Sequence, residues 1–426
     1  MAVRVLVIGG GWAGCAAAIA AAKCGAKVEL AERTDMLLGS GLVGGIMRNN
    51  GRWTAAEEMI AMGGGDLFTL SDQLSRHSNI DFPGHKHASL YDVDKIEPAV
   101  RRLLAKYKIK VHLIARGKDV EMAGTQMKRV LLDDGRALIA DAFIETTGSA
   151  GGMSNCAKYG NGCVMCIYRC PTFGPRVSIA AQAGIVEQVG TTASGSIGAI
   201  SGSCKLYPQS LAPDIADKLS AAGVAIIPIP PDLRQEAGLS FKACQQYALK
   251  EFAENLILLD TGQAKLMRPY HPLGLLRKIP GFENVRFADP YAGGIGNSMR
   301  LLAVTPRRNT MQVEGVDNLF CAGEKAGLLV GHTEAIVTGT IAGYNAVHFA
   351  RSKSLLEVPR VLAVGEGIAW SKEEMTDPNG MEKRYTFSGA GLFRHLQERG
   401  MYVTDRREIC RRVRQAGMEN IFANIQ

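Results

Sequence analysis

An α/β fold, split in sequence around an insertion, is what three stretches predict. The first is an apolar run closing on glycines, "VRVLVIGGGWAG". The second is another apolar strand ending in an acid, "KVELAER". The third lies far downstream, in "LFCAGEKAGLLVGHTEAIVTGTIAGYNAV", where a short strand leads into a helix of small residues. Strand, helix and strand in this order make a parallel βαβ unit, the core of a Rossmann-like domain.

The elements follow in order. Val3 to Ile8 reads as a buried strand because no polar residue after Arg4 interrupts it. Gly9, Gly11 and Gly14 then form GxGxxG. Gly9 permits the tight turn, Gly11 lets a pyrophosphate approach the backbone, and Gly14 allows close helix–strand packing. An Ala-rich helix from about Ala13 to Lys23 points its N-terminus at that negative charge. Glu32 ends the second strand 18 residues beyond Gly14, placed to bind ribose hydroxyls. A second GxGxxG, Gly39, Gly41 and Gly44 in "LLGSGLVGGIM", has no strand before it. It reads as a flexible loop passing close to the cofactor.

A helix follows "YDVDKIEPAVRRLL", with Asp92 or Asp94 near its start, and Asp134-Gly135 marks a hairpin turn. A strand then runs into Thr147-Gly148. Leu319 to Ala322 is the late strand, Gly323-Glu324 its end, and the late helix starts near Thr333. The expected domains are 1–150 and 291–358 for the two halves of the nucleotide domain, 151–290 for an inserted mixed substrate or cap domain, and 359–426 for a small basic C-terminal region. In the insert, "SLAPDIADKLSAAG" and "SFKACQQYALKEFAENL" read as helices.

Composition bounds the class. The chain has 426 residues, 46% hydrophobic and 21% charged, as in soluble globular proteins. No run of 18 apolar residues suggests a membrane span, and the start shows no leader pattern. The ten cysteines do not form the evenly paired framework of a short secreted chain, so a reducing cytoplasm is expected. The net charge is +8, and from Lys383 onward nine Lys or Arg face four Asp or Glu. That tail is a solvated Arg-rich face or a docking surface for an acidic partner. In "TDRREICRRVRQAG", Asp405 and Glu408 form a capping-box-like pair and Gly417 stops the helix.

The arrangement resembles the FAD-binding domain of glutathione-reductase-type flavoproteins. Within them it is similar to the heterodisulfide-reductase-like FAD oxidoreductases in "VIGGGWAGCAAAIAAAKCGAKVELAER", "SGLVGG" and "TTG". It is also similar to the glucose-inhibited division protein A and folate-dependent tRNA methyltransferase group in "IPGFENVRFADPYA" and "GVDNLFCAGEKAG…EAIVTGTIAGYNA". The resemblance implies FAD held by Gly9, Gly11, Gly14, Glu32 and Arg33, by Gly44 and Gly148, and by Gly323, Glu324 and Thr333. His332, just before the late helix, falls next to the implied flavin edge and is a candidate catalytic residue. The methyltransferase branch carries a Cys in the loop after the acidic strand end, where "GLVGGIMRNNGRW" has none. No further strand–GxGxxG–helix unit marks an NAD(P)H domain.

Electron entry then turns on Cys156, Cys163, Cys166 and Cys170, spaced C-x6-C-x2-C-x3-C-P. The last part copies the end of a bacterial ferredoxin pattern, so a [4Fe–4S] cluster is one reading. A redox pair, Cys163-x-x-Cys166, is another, and zinc or inert thiols are further ones. Cys15, Cys24, Cys244, Cys321 and Cys410 read as core, and Cys204 is a candidate to reach the active site. His85-x-His87 reads as a surface loop, while His271 and Arg307-Arg308 are candidates to line the substrate side. The function expected is an FAD-dependent oxidoreductase whose cysteines relay electrons or act as thiols. The alternatives are a flavin-dependent tRNA-modifying enzyme or a non-catalytic FAD subunit. Expected partners are a small-molecule or thiol/disulfide substrate, an electron-transfer protein and further copies of the chain. Nucleic acid ranks below these, and no membrane is expected.

Overall fold

The computed structural model describes residues 2–148, 172–189, 199–200, 204–234, 247, 249–268, 271–288, 299–300, 303–377 and 383–423. Its central sheet has five parallel strands: Arg4–Ile8, Lys27–Ala31, Lys110–His112, Ala142–Glu145 and Leu319–Cys321. Numbered along the chain, they lie side by side in the order 3-2-1-4-5. The order reverses between the first and fourth strands, and ligands of such sheets bind in the crevice at that reversal. Val5 to Ile8 are all buried, which is why the strand reads as a continuous apolar run.

Helix Trp12–Lys23 and the late helix His332–Ala350 pack against each other and against the sheet. Two glycines set how close they come. A Cβ on Gly339 would lie 2.2 Å from the Ala13 carbonyl oxygen, and one on Gly343 2.1 Å from that of Ala17. Gly343→Ala should therefore lower stability by about 1–3 kcal/mol, although alanine is the better helix former by roughly 1 kcal/mol. A urea midpoint that held or rose would contradict this packing.

The Asp134-Gly135 turn joins strands Gln126–Leu132 and Ala137–Ile139 as expected. Asp92 Oδ1 accepts from the Asp94 and Lys95 amides just ahead of helix Ile96–Lys106. Beside the nucleotide domain stands a three-stranded sheet, Ile46–Arg48, His85–Tyr91 and Ser75–Phe82.

The insert is a four-stranded antiparallel sheet, ordered Cys204–Leu206, Ala264–Leu266, Asn255–Asp260 and Val224–Pro228, with helix Pro213–Ala222. The helix expected through "KEFAENL" stops at Glu254, and a strand begins at Asn255. Leu256 and Leu258 face the insert's own core, while Ile257 and Leu259 face a second cluster with Phe82 and Leu90. Both faces being apolar, the two-residue period of the strand is hidden in the sequence.

The C-terminal helices Ala363–Met375, Ala390–Glu398 and Arg406–Gln415 return to the nucleotide domain. Thr54 Oγ1 donates to the Val403 carbonyl at 2.7 Å, and the Asn420 amide to that of Ala61 at 3.1 Å. Asp405 caps its helix by accepting from the Arg407 amide, while Glu408 pairs with Arg412 instead of closing a capping box. Cys410 is exposed, which corrects its reading as core; Cys15, Cys24 and Cys321 are buried.

Glu58 caps helix Ala363–Met375 from a distance: its carboxylate accepts from the Ala363 and Val364 amides, each at 2.9 Å. Burial pushes its pKa up from 4.5 to about 7. An acid whose pKa rises on folding favours the fold while protonated, so its contribution is complete below pH 4.5 and lost as pH climbs through about 7. The loss should approach about 3 kcal/mol. Denaturation midpoints of Glu58→Gln should lack this slope; a slope equal to that of the unmodified protein would refute the assignment.

Candidate functional site

The crevice at the strand reversal is built by backbone. Gly9 has φ +107°, and a Cβ there would lie 2.5 Å from the Thr146 carbonyl oxygen. Thr146 Oγ1 donates to the Gly9 carbonyl at 2.6 Å, which joins the ends of the first and fourth strands. Gly14 is equally constrained: a Cβ would lie 1.9 Å from the Gly9 oxygen. Gly11 differs, because a Cβ there meets nothing within 4 Å. Gly11 is also the N-cap and lends the first turn no side-chain acceptor. The open side of Gly11 and the amides behind it make a cradle that fits a pyrophosphate.

Glu32 is buried at the edge of this cradle. Its Oε2 accepts from the Gly10 amide at 2.8 Å and its Oε1 from the Thr34 amide and hydroxyl at 2.9 Å. The carboxylate is thereby held in a fixed orientation, with lone pairs left for further donors. Arg33 turns away and donates to the Gly174 carbonyl. Gly148 has φ +78°, and a Cβ would meet Arg176 Nη1 at 3.1 Å.

The distal half meets the same crevice. Gly323 has φ +68°, its amide donates to Thr338 Oγ1 at 2.9 Å, and a Cβ there would lie 3.0 Å from that of Ala13. Glu324 follows, half-buried, in the 3₁₀ turn Gly323–Ala326. Thr333 Oγ1 donates to the Met47 carbonyl at 2.6 Å, pinning the start of the late helix to the sheet beside it. The Gly-rich loop comes against this start: a Cβ on Gly44 would lie 1.6 Å from His332 Cε1. His332 Nδ1 is 3.2 Å from both the Ile46 carbonyl and the Tyr91 hydroxyl. A carbonyl only accepts, so Nδ1 carries the proton.

Sequence reasoning missed two groups. Trp12 and Tyr91 pack edge to face at 5.8 Å, and His332 lies 6.0 Å and 5.8 Å from them. The signal was a bulky residue inside GGGWAG, where the neighbours are small. The second is a buried charge network: Lys325 pairs with Glu187 and stands 3.9 Å from Glu145. Glu145 accepts from the Ile179 and Ala180 amides, and burial raises its pKa, with Lys325 working against the rise.

Other expectations resolve differently. His85 is buried between Phe82 and Tyr247 and bonds to Asn49 at 2.8 Å, so it is not a surface residue. His87 is half-buried and bonds to Asn79. Arg307 is buried and holds the Ala326 carbonyl at 2.7 Å, behind the Gly323–Ala326 turn; burial lowers its pKa to about 10. Arg308 pairs with Gln312, and His271 is buried. Cys204 is buried in the insert core. Cys156, Cys163, Cys166, Cys170 and Cys244 lie outside the described residues. Among the described residues no group of three His, Cys, Asp or Glu is arranged to hold a metal, and no helix is long and apolar enough to cross a membrane.

Comparison with known proteins agrees with this geometry. The fold superimposes on GidA of Aquifex aeolicus with a TM-score of 0.71 over 98% of this chain and 74% of that one, at 17% identity. Methylenetetrahydrofolate–tRNA-(uracil-5-)-methyltransferase TrmFO of Enterococcus faecalis is 31% identical over 137 residues, 32% of this chain and 28% of that protein. TrmFO of Moorella thermoacetica is 33% identical over 138 residues, 32% and 29% of the two chains. Each of these alignments spans less than a third of the relative's length. The family model for glucose inhibited division protein A matches residues 4–215 and 260–354, both halves of the nucleotide domain and much of the insert, and the chain belongs to that family.

Proposed function

We propose that this chain is an FAD-dependent enzyme that modifies a uridine in tRNA. The observation that carries the cofactor is the cradle at Gly11, open on its outer side and ringed by glycines that admit no side chain. In this reading the amides at the start of helix Trp12–Lys23 bind the pyrophosphate, and Glu32 binds the ribose. His332, Thr333 and Gly44 bound the flavin end, and the Nδ1 proton that His332 gives to the Ile46 carbonyl fixes its ring there. When bound, FAD supplies hydride or electron transfer. The tRNA substrate is supported by family membership and by the TrmFO relatives. In this reading Cys163 and Cys166 serve as a redox thiol pair. The test has two parts. Purified protein should release FAD on heating, and cells lacking the chain should lose a modified uridine in tRNA nucleoside analysis. An unchanged nucleoside profile would remove the RNA assignment.

A second reading is favoured by the C-x2-C-x3-C-P run: a [4Fe–4S] relay at Cys156, Cys163, Cys166 and Cys170. Anaerobic protein should then carry about four iron per chain. Cys166→Ser should lose the iron and keep FAD. Protein without iron leaves the thiol role in place.

A further inference from the structure

Two buried acids share one cation beneath the crevice. Glu145 ends the fourth strand, and the next residue, Thr146, donates to the Gly9 carbonyl at 2.6 Å. Lys325 lies in the turn Gly323–Ala326, where the distal half begins. Its ammonium pairs with Glu187 and stands 3.9 Å from Glu145 Oε1. The Lys325 and Glu145 side chains are fully buried, and that of Glu187 is nearly so. An unbalanced charge is costly in such a dry place. Ser178 Oγ donates to Glu187 Oε1, as does Thr305 Oγ1 at 3.2 Å, so Glu187 holds the negative charge that Lys325 meets. Glu145 accepts from the Ile179 and Ala180 amides, and the Thr147 hydroxyl lies 2.7 Å from its Oε1. A hydroxyl donates to an ionised acid and accepts from a protonated one, so Glu145 is accommodated in either state. Burial raises its pKa, Lys325 offsets part of that, and Glu187 raises it further. From the late strand, Cys321 faces the same groups, and burial pushes its thiol up to about 12, so it stays neutral. Arg307, whose charge acts on Cys321, donates to the Ala326 carbonyl.

We propose that Lys325, Glu187 and Glu145 form a one-proton latch under the cradle, which ties cofactor affinity to pH. With one proton on the two acids the triad is neutral and joins the two halves of the crevice. Loss of that proton leaves a negative charge beneath a site that binds the anionic pyrophosphate. Proton and cofactor therefore favour each other, and by linkage cofactor binding takes up a proton. The two acids titrate as a coupled pair. Because burial raises the pair's pKa, affinity is highest at low pH and falls as pH climbs through that pKa. The inference rests on the FAD reading.

Equilibrium dialysis of the full chain against FAD, from about pH 5 to about pH 9, tests it. Affinity should fall about tenfold across the step, a coupling of about one pKa unit. Glu145→Gln imitates the protonated acid, so it should keep the high affinity throughout and lose the step. Lys325→Met should move the step to higher pH, because the acids lose their cation. A lysine that only supports the fold would instead weaken binding alike at every pH. Glu58→Gln, which acts on the C-terminal helix, should leave the profile as it is. Glu32 and His332 are present in every variant, so the difference between the parent and Glu145→Gln reads the triad. Calorimetry of FAD binding in two buffers of different ionisation enthalpy needs no variant to fold, and should show net proton uptake near the step. FAD binding with a flat profile, or without proton uptake, overturns the proposal. A Glu145→Gln profile that matches the parent overturns it too. A chain that takes no FAD at any pH sinks the cofactor reading as well, which separates the two failures.

Discussion

Gly11→Val should yield a folded, colourless protein. The added Cβ has no heavy atom within 4 Å, so the side chain starts into open space. Its backbone, φ −68° and ψ −178°, suits valine. The expected stability cost is only that of a poorer N-cap, a few tenths of a kcal/mol to about 1 kcal/mol. The same side chain fills the space that a pyrophosphate needs, so flavin retention should fall at least about a hundredfold, or roughly 3 kcal/mol. Gly14→Val is the contrasting control. Its Cβ would lie 1.9 Å from the Gly9 oxygen, so that variant should lose the fold itself. Visible flavin absorbance per chain and a thermal melt, measured on both, separate the outcomes. Full flavin occupancy in Gly11→Val would refute the cradle assignment.

The contrast shows what a glycine motif states in sequence and what it does not. GxGxxG announces three small positions, and only coordinates separate a glycine that spares a backbone from one that spares a ligand. The nucleotide domain was legible because each element carries a local signal: a continuous apolar strand, a glycine turn, an alanine-rich helix, an acid at a strand end. The parallel order 3-2-1-4-5 is set by pairing between strands far apart in the chain and is read from the structure. Features that depend on distant partners were not legible. Glu58 serves as a cap for a helix some 300 residues away, with |i−j| of 305 to Ala363. Lys205 and Lys265 are about 60 residues apart in the chain and become neighbours only through strand register. His85, expected on a surface loop, and Arg307, a candidate for the substrate side, are each buried with hydrogen-bond partners supplied by other segments. Cys410 errs the other way, since one apolar position on an amphipathic helix says little about which side of the stripe it occupies.

Arg52→Met should be the most damaging single change that leaves the cradle's own residues untouched. Arg52 Nε donates to both oxygens of Glu334, at 2.9 and 3.1 Å, and both side chains are almost fully buried. Glu334 also accepts from the Phe387 amide at 2.8 Å, so one carboxylate ties helix Gly51–Ala61 to the late helix and to the C-terminal segment. It sits in the first turn of the late helix, where negative charge is favoured. Gly331 leaves room for the pair: a Cβ there would lie 2.0 Å from Arg52 Nη2. Removing the guanidinium strands a carboxylate in a dry interior, a loss of about 3–5 kcal/mol. Replacing both partners, Arg52→Met with Glu334→Leu, removes the stranded charge and should recover part of that loss. Because His332 and Thr333 precede Glu334 on the same turn, the single variant should also bind flavin more weakly than the double variant does. Denaturant midpoints and flavin content for the two variants check both statements. A single variant as stable as the parent, or a double variant worse than the single by the full sum of two losses, would show that the pair is not the clamp described here.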